Sequence, residues 1–246
     1  MCGVGRGCRD VLGSDAQGQR AVPSDSWLRV SAGGEFTCGL TTASTVRCWG
    51  LNDRGQSTPP TGTFREVTAG TTHACGLRTN GTLVCWGGGQ FNETSVPSGT
   101  FVHVASGGGH ACALEADGAA RCWGHDDLGQ ATPPSGMRFS ALAGGDAFTC
   151  GLRTDGNIAC WGRASEGQLS PAAGAFVQLS AGGAHACAVR ADFSVACWGR
   201  TSEGQTTPAA GQFQQVAAGN LHTCGLRPDG TIACWGLDNV GQSTPP

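Results

Sequence analysis

Cysteine and histidine are the residue types in this chain best suited to chemistry, and they recur at fixed intervals. Six pairs of cysteines lie ten residues apart: Cys38/Cys48, Cys75/Cys85, Cys112/Cys122, Cys150/Cys160, Cys187/Cys197 and Cys224/Cys234. Four of the pairs carry a histidine two residues ahead, namely His73, His110, His185 and His222, while Phe36 and Phe148 hold that place in the other two. One histidine with two cysteines could suggest zinc. A structural zinc site, however, prefers four ligands and short C-x2–4-C spacing. Each unit offers only three, and phenylalanine substitutes for the histidine twice. A packing role for the histidines and pairing of the cysteines with each other are expected, with no metal and no cofactor.

Other catalytic patterns are missing from the sequence. It has no nucleophile beside a base, no paired carboxylates at a recurring place and no phosphate-binding loop. Acids such as Asp53, Asp126 and Asp127 are scattered, and nothing selects them as a catalytic set. The chain therefore reads as a non-enzyme. Its net charge is −3 and its arginines stand singly, with no lysine among the 15 basic residues. A nucleic-acid surface needs a clustered basic face, so a nucleic-acid partner is not expected. No apolar run approaches the roughly 18–20 residues of a membrane helix. Fourteen cysteines in 246 residues instead point to an oxidising compartment. That places the protein outside the cell, at the cell surface or in the periplasm, although its first residues lack the basic start and apolar run of a signal peptide.

The elements that position these residues follow from the repeat. The unit C-x9-C-W-G-x4-(G-Q), with a proline shortly after, recurs with a period of 37 residues, or 38 once, and such a period marks a repeat array. In the second unit, residues 64–69 alternate as a short strand, 70–72 break it, and 73–78 form a second strand. Asn80-Gly81 then makes a tight turn, matched by Asp117-Gly118, Asp155-Gly156 and Asp229-Gly230. A type I turn followed by a left-handed glycine requires this pattern. Ser44 and Phe193 replace the glycine in the other two units, which should be locally less comfortable. The three-residue loop sets Cys75 across from Cys85, with α-carbons about 4.5 Å apart in a non-hydrogen-bonded pair. This explains the invariant interval. The proline-ended segment after Gly-Gln reads as a short fourth strand at an edge. Four short strands per unit of about forty residues make a propeller blade. Both faces of a blade pack on neighbours, so Trp49, Trp86, Trp123, Trp161, Trp198 and Trp235 should be buried between blades. Residues 14–19 echo the loop before Gln56, so a shortened seventh unit precedes the six.

The string A-G-x-x-H-x-C-G-L-x-x-D-G-x-x-x-C-W-G-x-x-x-x-G-Q, as in Ala218–Gln242, resembles the regulator of chromosome condensation repeat superfamily. It is most similar to two branches, the propeller-type β-lactamase inhibitor proteins and the Crinkly-type receptor kinase ectodomains. The resemblance spans about residues 30–246. It implies an all-β fold, a seven-bladed β-propeller with six complete repeats over residues 27–246 and an incomplete blade from residues 1–26, all in one domain. A six-bladed ring is the alternative. Cys2 and Cys8 are left over and could pair with each other, a pairing the sequence leaves open.

In a meander blade the A-G-x-x-H and W-G-x4-G-Q loops emerge at the same end, and these loops differ between units. In the inhibitor branch that face binds the partner, and the resemblance carries the role to this chain. The first loop set contributes Glu35, Phe36, Thr71, Thr72, Asp146, Phe148, Asn220 and Leu221. The second contributes Asn52, Asp53, Arg54, Phe91, Asn92, His125, Asp126, Asp127, Arg163, Arg200, Asp238 and Asn239. Phe91, Phe36, Phe148 and Arg54 are the expected anchors. The resulting expectation is a monomeric, disulfide-stapled binding module that recognises another protein. A glycan-binding propeller is the alternative, and a propeller enzyme with loop-borne acids ranks third.

Overall fold

The computed structural model describes residues 15–245. They form six antiparallel three-stranded sheets, one per repeat, each in simple sequence order. The first strands are Trp27–Ala32, Phe64–Ala69, His103–Ser106, Phe139–Gly144, Phe176–Ala181 and Gln215–Ala218. The second strands are Phe36–Thr41, His73–Arg78, His110–Leu114, Phe148–Arg153, His185–Arg190 and His222–Leu226. The third strands are Val46–Gly50, Leu83–Gly87, Ala120–Gly124, Ile158–Gly162, Val195–Gly199 and Ile232–Gly236. This is a six-bladed all-β propeller.

Two expectations are corrected here. The seven-bladed ring is replaced by six blades, because residues 15–26 contain turns and bends but no strand. That short segment instead places one Gly-Gln turn against the first blade, where the Gln19 carbonyl accepts the Trp49 indole N–H at 2.8 Å. Residues 1–14, including Cys2 and Cys8, lie outside the described residues. The fourth strand is also not formed. Residues after each Gly-Gln run as turn and coil into the next repeat, consistent with adjacent prolines such as Pro59-Pro60, which offer no N–H to a ladder.

The hairpins follow the sequence pattern closely. Cys75 pairs with Cys85 and Leu77 with Leu83, while Arg78 N–H donates to Thr82 C=O at 2.9 Å. All six cysteine pairs are disulfide-bonded within their own repeats: Cys38–Cys48, Cys75–Cys85, Cys112–Cys122, Cys150–Cys160, Cys187–Cys197 and Cys224–Cys234. Their geometry departs from the expectation in one respect. The α-carbons are 4.0 Å apart in every pair, closer than the about 4.5 Å of an unbridged non-hydrogen-bonded pair, because the covalent link draws the two strands together.

The two cysteines of a pair are also not equivalent. Cys38, Cys75, Cys112, Cys150 and Cys187 lie on central strands and are buried. Their partners Cys48, Cys85, Cys122, Cys160 and Cys197 are only half-buried, as are both Cys224 and Cys234 of the last repeat. The missing fourth strand explains the difference, since it leaves the third strand as the outer edge of each sheet. Ser44 and Phe193 adopt φ of 60° and 66°, the left-handed conformation that glycine takes in the other four turns. Alkylation without reduction should leave the twelve repeat cysteines unmodified in intact-mass analysis, and peptide mapping should join each pair within its own repeat. Free thiols throughout, in protein exported to an oxidising medium, would contradict the pairing.

Blade-to-blade packing uses contacts about one repeat apart. Tryptophans donate their indole N–H backward to the Gly-Gln turn of the preceding repeat: Trp86 to Gln56 O, Trp161 to Gln130 O, Trp198 to Gln168 O and Trp235 to Gln205 O, at 2.9–3.0 Å. Trp123 does the same to Glu93 O at 2.8 Å but is half-buried where the other five are buried. The first strands interlock as well. Glu66 accepts from His103 Nδ1 at 2.9 Å and from the Val104 N–H at 3.0 Å. Gln178 spans the next first strand in the same way through Val216 N–H and C=O.

Candidate functional site

The loops that differ between repeats are gathered at one end and pinned there by backbone bonds. Within each repeat the residue after W-G donates its N–H to the first loop: Leu51 to Glu35, Gly88 to Thr72, His125 to Gly109, Arg163 to Ala147, Arg200 to Ala184 and Leu237 to Leu221. The first loops are also joined from repeat to repeat, Gly34 N–H to Gly70 C=O, Thr71 to Gly108, Gly108 to Gly145, Asp146 to Gly183 and Gly183 to Asn220. The result is one continuous loop surface. Little space separates the loops, since a Cβ at Gly108 would lie 2.3 Å from the Asp146 carboxylate and 2.5 Å from its carbonyl.

Inside each W-G-x4-G-Q loop the glutamine is the anchor. Gln56, Gln130, Gln168 and Gln205 are buried. Each turns its amide oxygen back to accept the N–H of the residue two positions earlier: Arg54, Leu128, Glu166 and Glu203, at 2.8–2.9 Å. Gln242 does the same for Val240. In the second repeat Asn92-Glu93 stands where the others have Gly-Gln. Asn92 takes the left-handed φ of 62°, and the buried Glu93 carboxylate accepts the Phe91 N–H at 2.7 Å. The loop is thereby closed. Its fourth variable residue, Arg54, Phe91, Leu128, Glu166, Glu203 or Val240, is displayed on a fixed backbone. The sequence places Leu128, Glu166, Glu203 and Val240 within these variable loops, but only the structure singles out their position immediately before Gly-Gln.

Most expected surface residues are exposed on this face: Glu35, Asn52, Asp53, Arg54, Thr71, Phe91, Asn92, Asp126, Asp127, Asp146, Asn220, Asp238 and Asn239. Thr72, His125, Arg163, Arg200 and Leu221 are half-buried. Phe36 and Phe148 are corrected. They are 1% and 0% exposed and belong to the inter-blade core, because they fill the site that a buried histidine fills elsewhere. Some of the polar residues serve the loops themselves. Asn52, Asp126 and Asp238 accept the N–H of Ser57, Ala131 and Ser243 at 2.7–2.9 Å. The Thr244 hydroxyl and this N–H hold Asp238 below the usual carboxylate range.

Two local clusters remain. Phe91 stacks on His125 with ring centroids 4.1 Å apart and planes at 15°, and His125 Nε2 meets Asp127 at 2.9 Å. On the fourth and fifth repeats Arg163, Glu166, Arg200 and Glu203 alternate in a ladder of ion pairs at 3.0–3.7 Å. The four framework histidines lie beneath the face. His110 and His185 bond Thr149 and Thr223 of the following repeat through Nε2 at 2.7 Å. Both nitrogens of the buried His73 are without a hydrogen-bond partner among the described residues.

The model of the regulator of chromosome condensation (RCC1) repeat matches residues 28–56, 64–93, 101–130, 139–168, 176–205 and 213–242, one match on each sheet. The chain belongs to the RCC1 repeat family. Among solved structures it is similar to the Crinkly ectodomain of the Arabidopsis thaliana receptor kinase ACR4. Identity there is 28%, with 92% of this chain and 87% of that one covered and a TM-score of 0.77. It is also similar to the entire ectodomain of the Physcomitrella patens receptor kinase CR4, at 27% identity and a TM-score of 0.74. That match covers 85% of this chain but 63% of the ectodomain. Prp20p of Saccharomyces cerevisiae shares the fold, at 18% identity, a TM-score of 0.75 and coverage of 86% and 72%. No curated protein sequence matches this one significantly.

Proposed function

We propose that this RCC1-repeat propeller is a non-catalytic binding module that recognises another protein through its loop face, outside the cell and as a monomer. The observation that carries this reading is the contrast between framework and display. Six near-identical loops, each locked by a buried glutamine or glutamate, present arginine, phenylalanine, leucine, glutamate, glutamate and valine at one equivalent position. Repeat scaffolds place specificity in such positions, because the packed framework cannot vary. Two findings agree with it. The Prp20p structure is described together with its binding to Gsp1p and histones, and two of the similar structures are receptor ectodomains. Six disulfides support the extracellular setting.

Interfaces concentrate their energy in aromatic and arginine anchors. With a partner in hand, Phe91→Ala or Arg54→Ala should weaken binding by more than about 1 kcal/mol without changing the melting temperature. Titration calorimetry paired with thermal melts would measure both. Loss of binding on altering the opposite turns, Thr79 to Thr82 or Thr154 to Asn157, with the loop variants unaffected, would move the site to the other end. A second reading is favoured by one observation, the exposed Phe91 ring stacked on His125, which is the kind of platform a sugar ring can cover. A glycan array separates the two, since saturable glycan binding abolished by Phe91→Ala would replace the protein-binding reading.

A further inference from the structure

The sequence is almost charge-balanced, but the fold gathers carboxylates on the display face. Its twelve loops hold nine carboxylates, one of them the buried Glu93, and three arginines, a net −6, whereas the described residues together carry −4. The other described residues therefore sum to +2. The arginines of the rest of the molecule are largely committed to the framework. Arg78, Arg190 and Arg227 lie over Phe64, Phe176 and Phe213 at 4.8–5.5 Å and donate to backbone carbonyls at 3.1–3.2 Å. Arg138 and Arg153 pair with Asp117 and Asp155.

On the display face the neutralisation is local. Glu166 and Glu203 are matched by Arg163 and Arg200. Glu35, Asp53 and Asp146 are exposed and have no ion-pair partner among the described residues, and Asp127 meets only His125. By repeat order these carboxylates lie on, or on either side of, the second and third repeats, where Phe91 stacks on His125 of the loop that also carries Leu128. Phe91 is 41% and Leu128 54% exposed there, although most large apolar side chains of the chain are packed between blades. Exposed apolar groups ringed by polar ones mark interaction sites. A face with one sign of charge selects a partner of the opposite sign and steers its approach.

Resting on the protein-binding reading above, we infer that the partner is a protein presenting a lysine- or arginine-bearing surface around one apolar side chain. That side chain seats on Phe91 and Leu128. The partner's cations face Asp53, Asp127 and Asp146.

The test uses the whole chain and three fluorescent peptides of equal length as probes, read by anisotropy at low and high salt. One alternates arginine with serine around a central leucine, the second replaces arginine by glutamate, and the third replaces the leucine by serine. The first peptide should bind at least about tenfold more tightly than either other, and its affinity should fall severalfold between about 50 and 300 mM salt, because exposed charges are screened at that strength. Asp127→Asn with Asp146→Asn should remove most of the salt dependence. Phe91→Ser should abolish the leucine preference, with melting temperatures unchanged. A preference for the glutamate peptide that Phe91→Ser still removes would overturn the stated chemistry and leave the display face in place. Binding of the arginine peptide that is insensitive to these changes but lost on Asp155→Asn and Asp192→Asn would overturn the face itself. Absence of binding by any of the three peptides would overturn the inference outright.

Discussion

Replacing Trp86 with alanine is expected to lower stability by about 3–5 kcal/mol, the range for truncating a buried aromatic. The indole is 8% exposed and shares a core cluster with Phe36 and Leu40 of the first repeat and Phe64 of its own. Its removal opens a cavity at the junction of two blades. It also strands the Gln56 carbonyl, which accepts the indole N–H at 3.0 Å, and leaving a buried acceptor unpaired costs about 1–3 kcal/mol within that total. Trp86→Phe separates the two contributions. It keeps a six-membered ring but loses the donor and the pyrrole ring, so it should cost less than the alanine variant, about 1–3 kcal/mol. Denaturant unfolding of both variants measures the difference. A cost below about 1 kcal/mol for the alanine variant would show that the tryptophan ring does not weld the blades. Arg54→Ala, on the display face, should leave the unfolding midpoint where it is.

Acidification should destabilise the propeller through its framework histidines, and His73→Phe should remove part of that sensitivity. Burial pushes the pKa of His73, His110 and His185 from 6.5 down to about 4. The unfolded chain therefore binds these protons first, and stability falls as pH drops from about 6.5 toward 4. A shift from 6.5 to about 4 corresponds to roughly 3 kcal/mol per histidine at the acid end of that window. His103 opposes the trend. Burial lowers its pKa, but the Glu66 carboxylate and the Leu142 carbonyl outweigh burial and raise it, so its contribution is present below pH 6.5 and is lost as pH rises.

His73 is the informative position because its neighbour does not suit it. His110 and His185 are each followed, one repeat on, by the threonine they bond. Phe36 and Phe148 are each followed by an alanine, Ala74 or Ala186, in the same core cluster. His73 is followed by Ala111, the companion of a phenylalanine, and neither of its nitrogens is satisfied. His73→Phe should thus be neutral or stabilising at pH 7 and stabilising by about 3 kcal/mol near pH 4. His110→Phe should destabilise, since the buried Thr149 hydroxyl keeps its bond to the Gln130 carbonyl but loses its partner at His110 Nε2. Thermal melts across pH 4–8 decide the matter, and equal acid sensitivity of wild type and His73→Phe would defeat the argument.

The amino-acid sequence by itself determined the hairpins, though the fourth strand read from the proline-ended segment does not form. The ten-residue cysteine interval dictated the hairpin register and the disulfides, because a strand repeats every two residues and a three-residue turn leaves one way to pair. The same reasoning placed Ser44 and Phe193 in the left-handed conformation. Only the tertiary structure decided what depends on contacts a repeat apart. Residues 15–26 echo a repeat, yet they add a Gly-Gln turn to the first blade and no strand. Phe36 and Phe148 follow variable loops in the sequence but open the second strands of their blades and are buried in the blade junction with Ala74 and Ala186. The unequal burial of the two cysteines in a pair, Cys38 against Cys48 for example, likewise depends on which strand ends the sheet. The concentration of carboxylates on the display face was also invisible along the chain, because that face is assembled from two separate loops of every repeat.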